Sequence, residues 1–180
     1  MSNAIKASFV LGAIGGFIIA LIYIPLNLGW TWDPWFEVLF YQTLVLGLIL
    51  ISIGFFGLWR KSGNVIPLVS AICIIVWIIT RPLLYLLVAY TTLLPVGFDA
   101  AVFYAIGGIF LGVSWITVGI SAWLLREEFS QFSIVAALVF LALGAASFLI
   151  FLIGYGDWYY WFLQATYIVT GIYFLDAART

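Results

Sequence analysis

One basic side chain lies inside an apolar run rather than at its end: Arg81, followed directly by Pro82. A charge at the centre of a membrane span costs about 2.5–3.5 kcal/mol on insertion scales, so such a residue pairs, lines a cavity or reaches for the headgroups. On a helix Trp77, Arg81 and Tyr85 recur every fourth residue and share one face. A guanidinium held between rings gains about 0.5–2 kcal/mol from cation–π contact. Pro82 withholds a backbone N–H and favours a bend at the same point. The chemistry on offer is anion binding or gating in an outward cavity. The structural reading is a guanidinium that snorkels or pairs with Asp33, Glu37, Asp99 or Asp157.

Two further groups carry polar atoms in apolar surroundings. Glu37 and Tyr41 are spaced i, i+4 with Gln42 alongside, which suits a proton or cation site if the carboxylate lies at membrane depth, and an interfacial position otherwise. Near the C-terminus Tyr160, Gln164 and Tyr167 share one helical face, and Thr166, Thr170 and Tyr173 another. These, like Ser114, Thr117 and Ser121, suit interhelical hydrogen bonds, which average about 0.6 kcal/mol in lipid. The ligand-binding candidates are therefore Arg81, Trp77, Tyr85, Glu37, Tyr41 and Gln164, with no catalytic residue and no metal ligand among them.

Much chemistry is excluded. The chain has no histidine and one cysteine, Cys73. His-ligated haem, His-based metal sites, Ser-His-Asp and Cys-His catalysis, disulfides within the chain and Cys-cluster metal sites are all removed, and no cofactor is required. The two lysines, Lys6 and Lys61, sit at the ends of apolar segments, so no interior lysine can hold retinal. No basic run supports nucleic-acid binding, and no phosphate-cradling glycine motif is present. All seven acids map to loops or segment ends, which leaves no carboxylate pair at depth. The expectation is a protein that is not an enzyme.

The elements that must position these groups are set by composition. Of 180 residues, 67% are apolar and only 7% charged. A soluble domain is about 25% charged, so this chain cannot clothe itself for water and reads as an all-α integral membrane protein. Six apolar runs of about the length a bilayer requires place spans near 7–26, 36–59, 65–88, 101–125, 133–153 and 158–175, forming a single transmembrane domain. The third is interrupted at Arg81-Pro82 and remains apolar to Leu94: either a long tilted helix or a short span followed by an interfacial segment. The first is longer than a signal-peptide core and lacks a small-x-small cleavage pattern after it, so it is expected to stay as an uncleaved helix.

With six spans, Lys6, Arg60, Lys61, Arg126 and Arg179 fall on one side, and Asp33, Glu37, Asp99 and Asp157 on the other. Basic residues favour the cytoplasmic side, so both termini are expected there, in a multi-pass protein of the cell membrane. Trp30, Trp32, Trp35, Trp158, Tyr159, Tyr160 and Trp161 gather at the outer boundary, as an aromatic belt or as the lining of an outer pocket.

Small residues supply the packing. Gly12 and Gly16, and Gly108 and Gly112, form GxxxG pairs, and Gly47 and Gly54 lie one heptad apart. In lipid, close backbone approach at such residues carries helix association; a glycine-lined groove is the alternative. Two self-matches appear. Ala13-Ile14-Gly15-Gly16 resembles Ala105-Ile106-Gly107-Gly108, the pattern of an inverted three-plus-three repeat. Gly47 and Gly54 correspond to Gly112 and Gly119 in two hairpins of like orientation.

The leading expectation is a non-catalytic accessory or scaffold subunit that packs against other membrane subunits or copies of itself, in contact with lipids and holding lipid, quinone or pigment by contact alone. The alternative is a small-solute transporter or channel-like protein with an outward-facing site around Arg81.

Overall fold

The computed structural model describes residues 2–29, 33–83, 100–128, 132–153 and 158–180. Among them are six α-helices and no strand: α1 (Asn3–Asn27), α2 (Pro34–Ser62), α3 (Val65–Ile78), α4 (Ala100–Leu124), α5 (Phe132–Ile153) and α6 (Trp158–Arg179). A single π-helical turn, Ile79–Leu83, continues α3. Among the described residues, two helices, α1 and α2, are long and apolar enough to cross a membrane. Shorter apolar helical stretches occupy Val65–Ile78, Ile109–Leu124 and Phe132–Ser147.

Local chemistry sets the ends. Ser2 caps α1 by accepting from the Ile5 N–H. Asp33 caps α2, its carboxylate accepting from the Phe36 N–H at 2.7 Å, with Pro34 at the first helical position, where a missing N–H costs nothing. Gly63 ends α2 in the left-handed region at φ 69°, and its N–H donates to the Trp59 carbonyl. Asn64 then caps α3 through the Ile66 N–H. Two residues thus reverse the chain.

The helices form a closed ring. α1 packs on α2, α2 on α3, α3 on α4, α4 on α5, α5 on α6, and α6 returns to α1. Neighbours run antiparallel, as the register shows: Gly15 lies against Gly47 and Gly12 against Gly54 between α1 and α2, Gly16 against Gly171 between α1 and α6, and Gly119 against Leu141 between α4 and α5. The starts of α1, α3 and α5 and the ends of α2, α4 and α6 therefore share one end of the bundle. That end carries Lys6, Arg60, Lys61, Arg126 and Arg179, while Asp33 and Glu37 stand at the other.

Aromatic rings fill the centre. Trp115 of α4 stacks on Phe140 of α5 with centroids 5.6 Å apart and meets Tyr167 of α6 edge-on at 5.5 Å. Tyr167 stacks in turn on Tyr23 of α1, and Phe174 lies edge-on to Phe55 of α2. All of these side chains are buried.

Glycines let three helices approach at backbone distance. A Cβ on Gly16 would lie 2.7 Å from the Tyr167 carbonyl oxygen and 2.8 Å from the Gly171 nitrogen. One on Gly15 would meet the Gly47 carbonyl. The glycines therefore act as packing seams, which accounts for the Gly12/Gly16 pair. The Gly47/Gly54 to Gly112/Gly119 match makes unlike contacts. Gly47 and Gly54 face α1 and α6, whereas the Gly112 carbonyl and Gly119 face α5. The side-chain surroundings of 105–108, and with them the other self-match, lie outside the described residues.

Candidate functional site

The π turn sits where Arg81-Pro82 interrupts the third apolar run. Pro82 has no N–H to offer the preceding turn, and the neighbouring Thr80 side chain bonds back into α3. Its hydroxyl donates to the Val76 carbonyl at 2.9 Å and approaches that of Trp77 at 3.3 Å. Wide turns of this kind recur at functional positions in helices. Pro82 itself is buried, and the turn packs against both α2 and α4. Arg81 has its backbone in this turn, but its side chain lies outside the described residues, as does Tyr85.

Trp77, the third member of that face, is 6% exposed, so its ring points into the bundle. Its indole N–H has no acceptor among the described residues, and the same is true of Trp115. A buried donor left unpaired costs about 1–3 kcal/mol. The Ser121 hydroxyl of α4 is buried without a partner in the same way.

The other candidates separate. Glu37 and Tyr41 lie half-buried on one face of α2, one and two turns from its start. Tyr41 packs edge-on against Phe40, which meets Tyr23 edge-on at 5.2 Å. Asp33, one of the acids available to Arg81 by sequence, is engaged as the α2 cap. Gln164 belongs to a different contact. Its carbonyl oxygen accepts from Asn27 at 2.6 Å, and its NH₂ donates to the Ala20 carbonyl at 3.1 Å. Both ends of the amide are thus engaged in tying α6 to α1. Tyr160 and Tyr167, on the same face, both pack on Tyr23. Thr166 and Thr170 donate to carbonyls within α6, and Tyr173 meets Phe140 of α5. The two faces of α6 are therefore the α1 side and the α5 side.

Several contributors were not singled out by sequence. Asn27 reads there as the first loop residue, yet it closes the α1–α6 contact. Ser70 of α3 donates to Thr117 of α4 at 3.0 Å, a cross-helix hydroxyl pair of which only the α4 half stood out. Trp115 gives no signal at all, because nearly every neighbour of it is equally apolar. Arg126 folds over the Trp123 ring at 5.0 Å, donates to the Trp123 carbonyl and pairs with the exposed Glu127 at 3.4 Å, as a solvated turn would. Trp30, Trp32, Asp99 and Asp157 lie outside the described residues, while Trp35 and Trp161 are both exposed.

Among the described residues no cluster of histidine, cysteine and acidic side chains could hold a metal ion. No family model, no curated protein and no solved structure matches this chain. Over the described residues the fold is all-helical, with two candidate membrane-spanning helices.

Proposed function

We propose that the chain is a six-span protein of the cell membrane, with both termini cytoplasmic, that works without catalysis as an accessory or scaffold subunit. The observation that carries this reading is a surface as apolar as the centre. Large apolar side chains stand exposed on every helix, Leu21, Leu46, Ile72, Ile109, Leu138 and Trp161 among them, while the centre is closed by aromatic rings. In water a surface of that kind would associate without limit; in a bilayer it is the face that meets lipid and neighbouring helices. The collection of five basic residues at one end fits the excess of Lys and Arg on cytoplasmic turns.

The second reading, a small-solute transporter with an outward-facing site around Arg81, is favoured by one feature. The π turn and the Trp77 indole, which has no acceptor among the described residues, coincide at the only basic residue within an apolar run of the sequence.

Native mass spectrometry of the protein, extracted gently from its own membrane, tests these readings. Stoichiometric partner subunits or a defined homo-oligomer are the expected result. A lone protomer that retains no subunit and carries a small anionic solute would overturn the scaffold reading in favour of transport.

A further inference from the structure

At the end that gathers the basic residues, the start of α1 and the end of α2 enclose a groove of about 570 Å³, within the range of small-molecule sites, about 300–1,000 Å³. Its wall on α2 is graded. Ile53, Phe56 and Arg60 follow one face at intervals of three and four residues, so Ile53 lies about 10 Å along the helix from Arg60. Trp59 flanks the charged end. On the α1 side Ser2, the cap residue, stands at the mouth, and Ile5 and Ser8 lie deeper, the Ser8 hydroxyl already engaged as donor to the Ile5 carbonyl.

The electrostatics of the mouth are one-signed. Arg60 is exposed and makes no hydrogen bond or ion pair among the described residues, and the first turn of α1 holds no acid. The first N–H groups of a helix lack acceptors within it and carry a partial positive charge. Here Ser2 takes up the Ile5 N–H, and its carbonyl that of Lys6, while Asn3 and Ala4 find no acceptor within α1. A cationic, donor-rich mouth opens into a slot that becomes apolar over about two turns.

We infer that this groove is a binding site for an anionic phospholipid, with the phosphate between Arg60 and the start of α1 and the first part of an acyl chain along Phe56 and Ile53. A free phosphate would use the mouth and leave the apolar slot empty; an uncharged amphiphile would use the slot and leave Arg60 unpaired. An anionic lipid satisfies both, and Trp59 stands at the headgroup level that indoles favour. The assignment rests on the proposed membrane-spanning reading, with this end at a headgroup surface, but not on the scaffold role.

The test is reconstitution into nanodiscs of phosphatidylcholine containing one-fifth phosphatidylglycerol, followed by release and native mass spectrometry of the lipids retained. The wild-type chain is expected to hold one phosphatidylglycerol in preference to phosphatidylcholine. Arg60→Gln is expected to reduce that preference about tenfold, the scale of one charge-assisted hydrogen bond. Lys61→Gln serves as the control for charge alone: Lys61 is turned toward Phe9 and donates to the Thr180 hydroxyl, outside the groove. Equal retention in wild type and Arg60→Gln, or an equal loss in Lys61→Gln, overturns the site. So does displacement of the lipid by millimolar inorganic phosphate, which would make the mouth a simple ion site. Failure to enter nanodiscs at all would overturn the membrane reading itself, a result distinct from entry without lipid preference.

Discussion

Gly16→Ala is expected to destabilise the bundle by about 1–2 kcal/mol, and Gly16→Leu to prevent α6 from docking on α1. The added Cβ of alanine would stand 2.7 Å from the Tyr167 carbonyl oxygen and 2.8 Å from the Gly171 nitrogen. Both are backbone atoms, so no rotamer change relieves the contact and the two helices must separate. Overpacking of this kind costs about 1–3 kcal/mol, and the better helix propensity of alanine returns at most about 1 kcal/mol. Separation would also lengthen the 2.6 Å bond from Asn27 to Gln164 across the same interface. Gly57→Ala is the contrast: its nearest neighbour is the Ser8 hydroxyl, a side-chain atom that can turn away at the cost of its bond to the Ile5 carbonyl, and a smaller loss is expected. Equilibrium unfolding in mixed detergent micelles measures both. A Gly16→Ala protein as stable as wild type would mean that α1 and α6 do not meet at backbone distance.

The second large effect is at the centre. Trp115→Ala is expected to cost about 3 kcal/mol, near the lower end of the range for deleting a large buried ring. On the proposed six-span reading little is gained by moving an apolar group from lipid to protein, so most of the loss is dispersion with Phe140 and Tyr167, which the void no longer supplies. Trp115→Phe should behave differently. It keeps a ring on Phe140 and removes an indole N–H that has no acceptor among the described residues, so the change should stay within about 1 kcal/mol of wild type. The same unfolding assay separates the two variants. A phenylalanine variant as damaged as the alanine one would show that the N–H, and not the ring, carries the contribution of Trp115.

The two glycine seams and the central ring differ in how far they could be read beforehand. The spacing of Gly12 and Gly16 marks a packing face, because few other uses suit glycines four residues apart in an apolar helix. The partners were not legible. Gly54, Gly47 and Gly171 are chosen by the ring order of the helices, and helices apolar nearly all round give no directional signal for that order. Some helices overrun the apolar runs, while α3 gives way to the π turn at Ile79 within the run expected over 65–88, whose remainder from 84 lies outside the described residues. α2 covers Pro34–Ser62 where apolarity alone marks 36–59, and α6 reaches Arg179 where it marks 175. Apolarity reports the stretch suited to lipid, whereas Asp33, Pro34 and Gly63 report where hydrogen bonding begins and ends.

Of the candidate site, the break at Arg81-Pro82 was legible because proline must disturb a helix, and it emerges as a π turn. Gln164 was legible as a polar group on a shared face with Tyr160 and Tyr167. Its engagement with Asn27 and Ala20 was not, since that depends on the register of α1 against α6. The groove beside Arg60 shows the same division. The Ile53, Phe56, Arg60 spacing is visible in sequence, but only the start of α1 laid against it makes an enclosure.

The central claim, six spans with the basic end inside, is tested most directly by cysteine accessibility in intact cells, with the buried Cys73 replaced by serine. Single cysteines at Asp33→Cys, Asp99→Cys and Asp157→Cys are expected to react with a membrane-impermeant maleimide from outside. Those at Ser62→Cys, Glu127→Cys and Thr180→Cys are expected to react only after permeabilisation. Outside labelling at Ser62→Cys would contradict the orientation. Protection of Asp99→Cys and Asp157→Cys alongside labelling of Asp33→Cys would contradict the six-span arrangement and leave α1 and α2 as the only crossings.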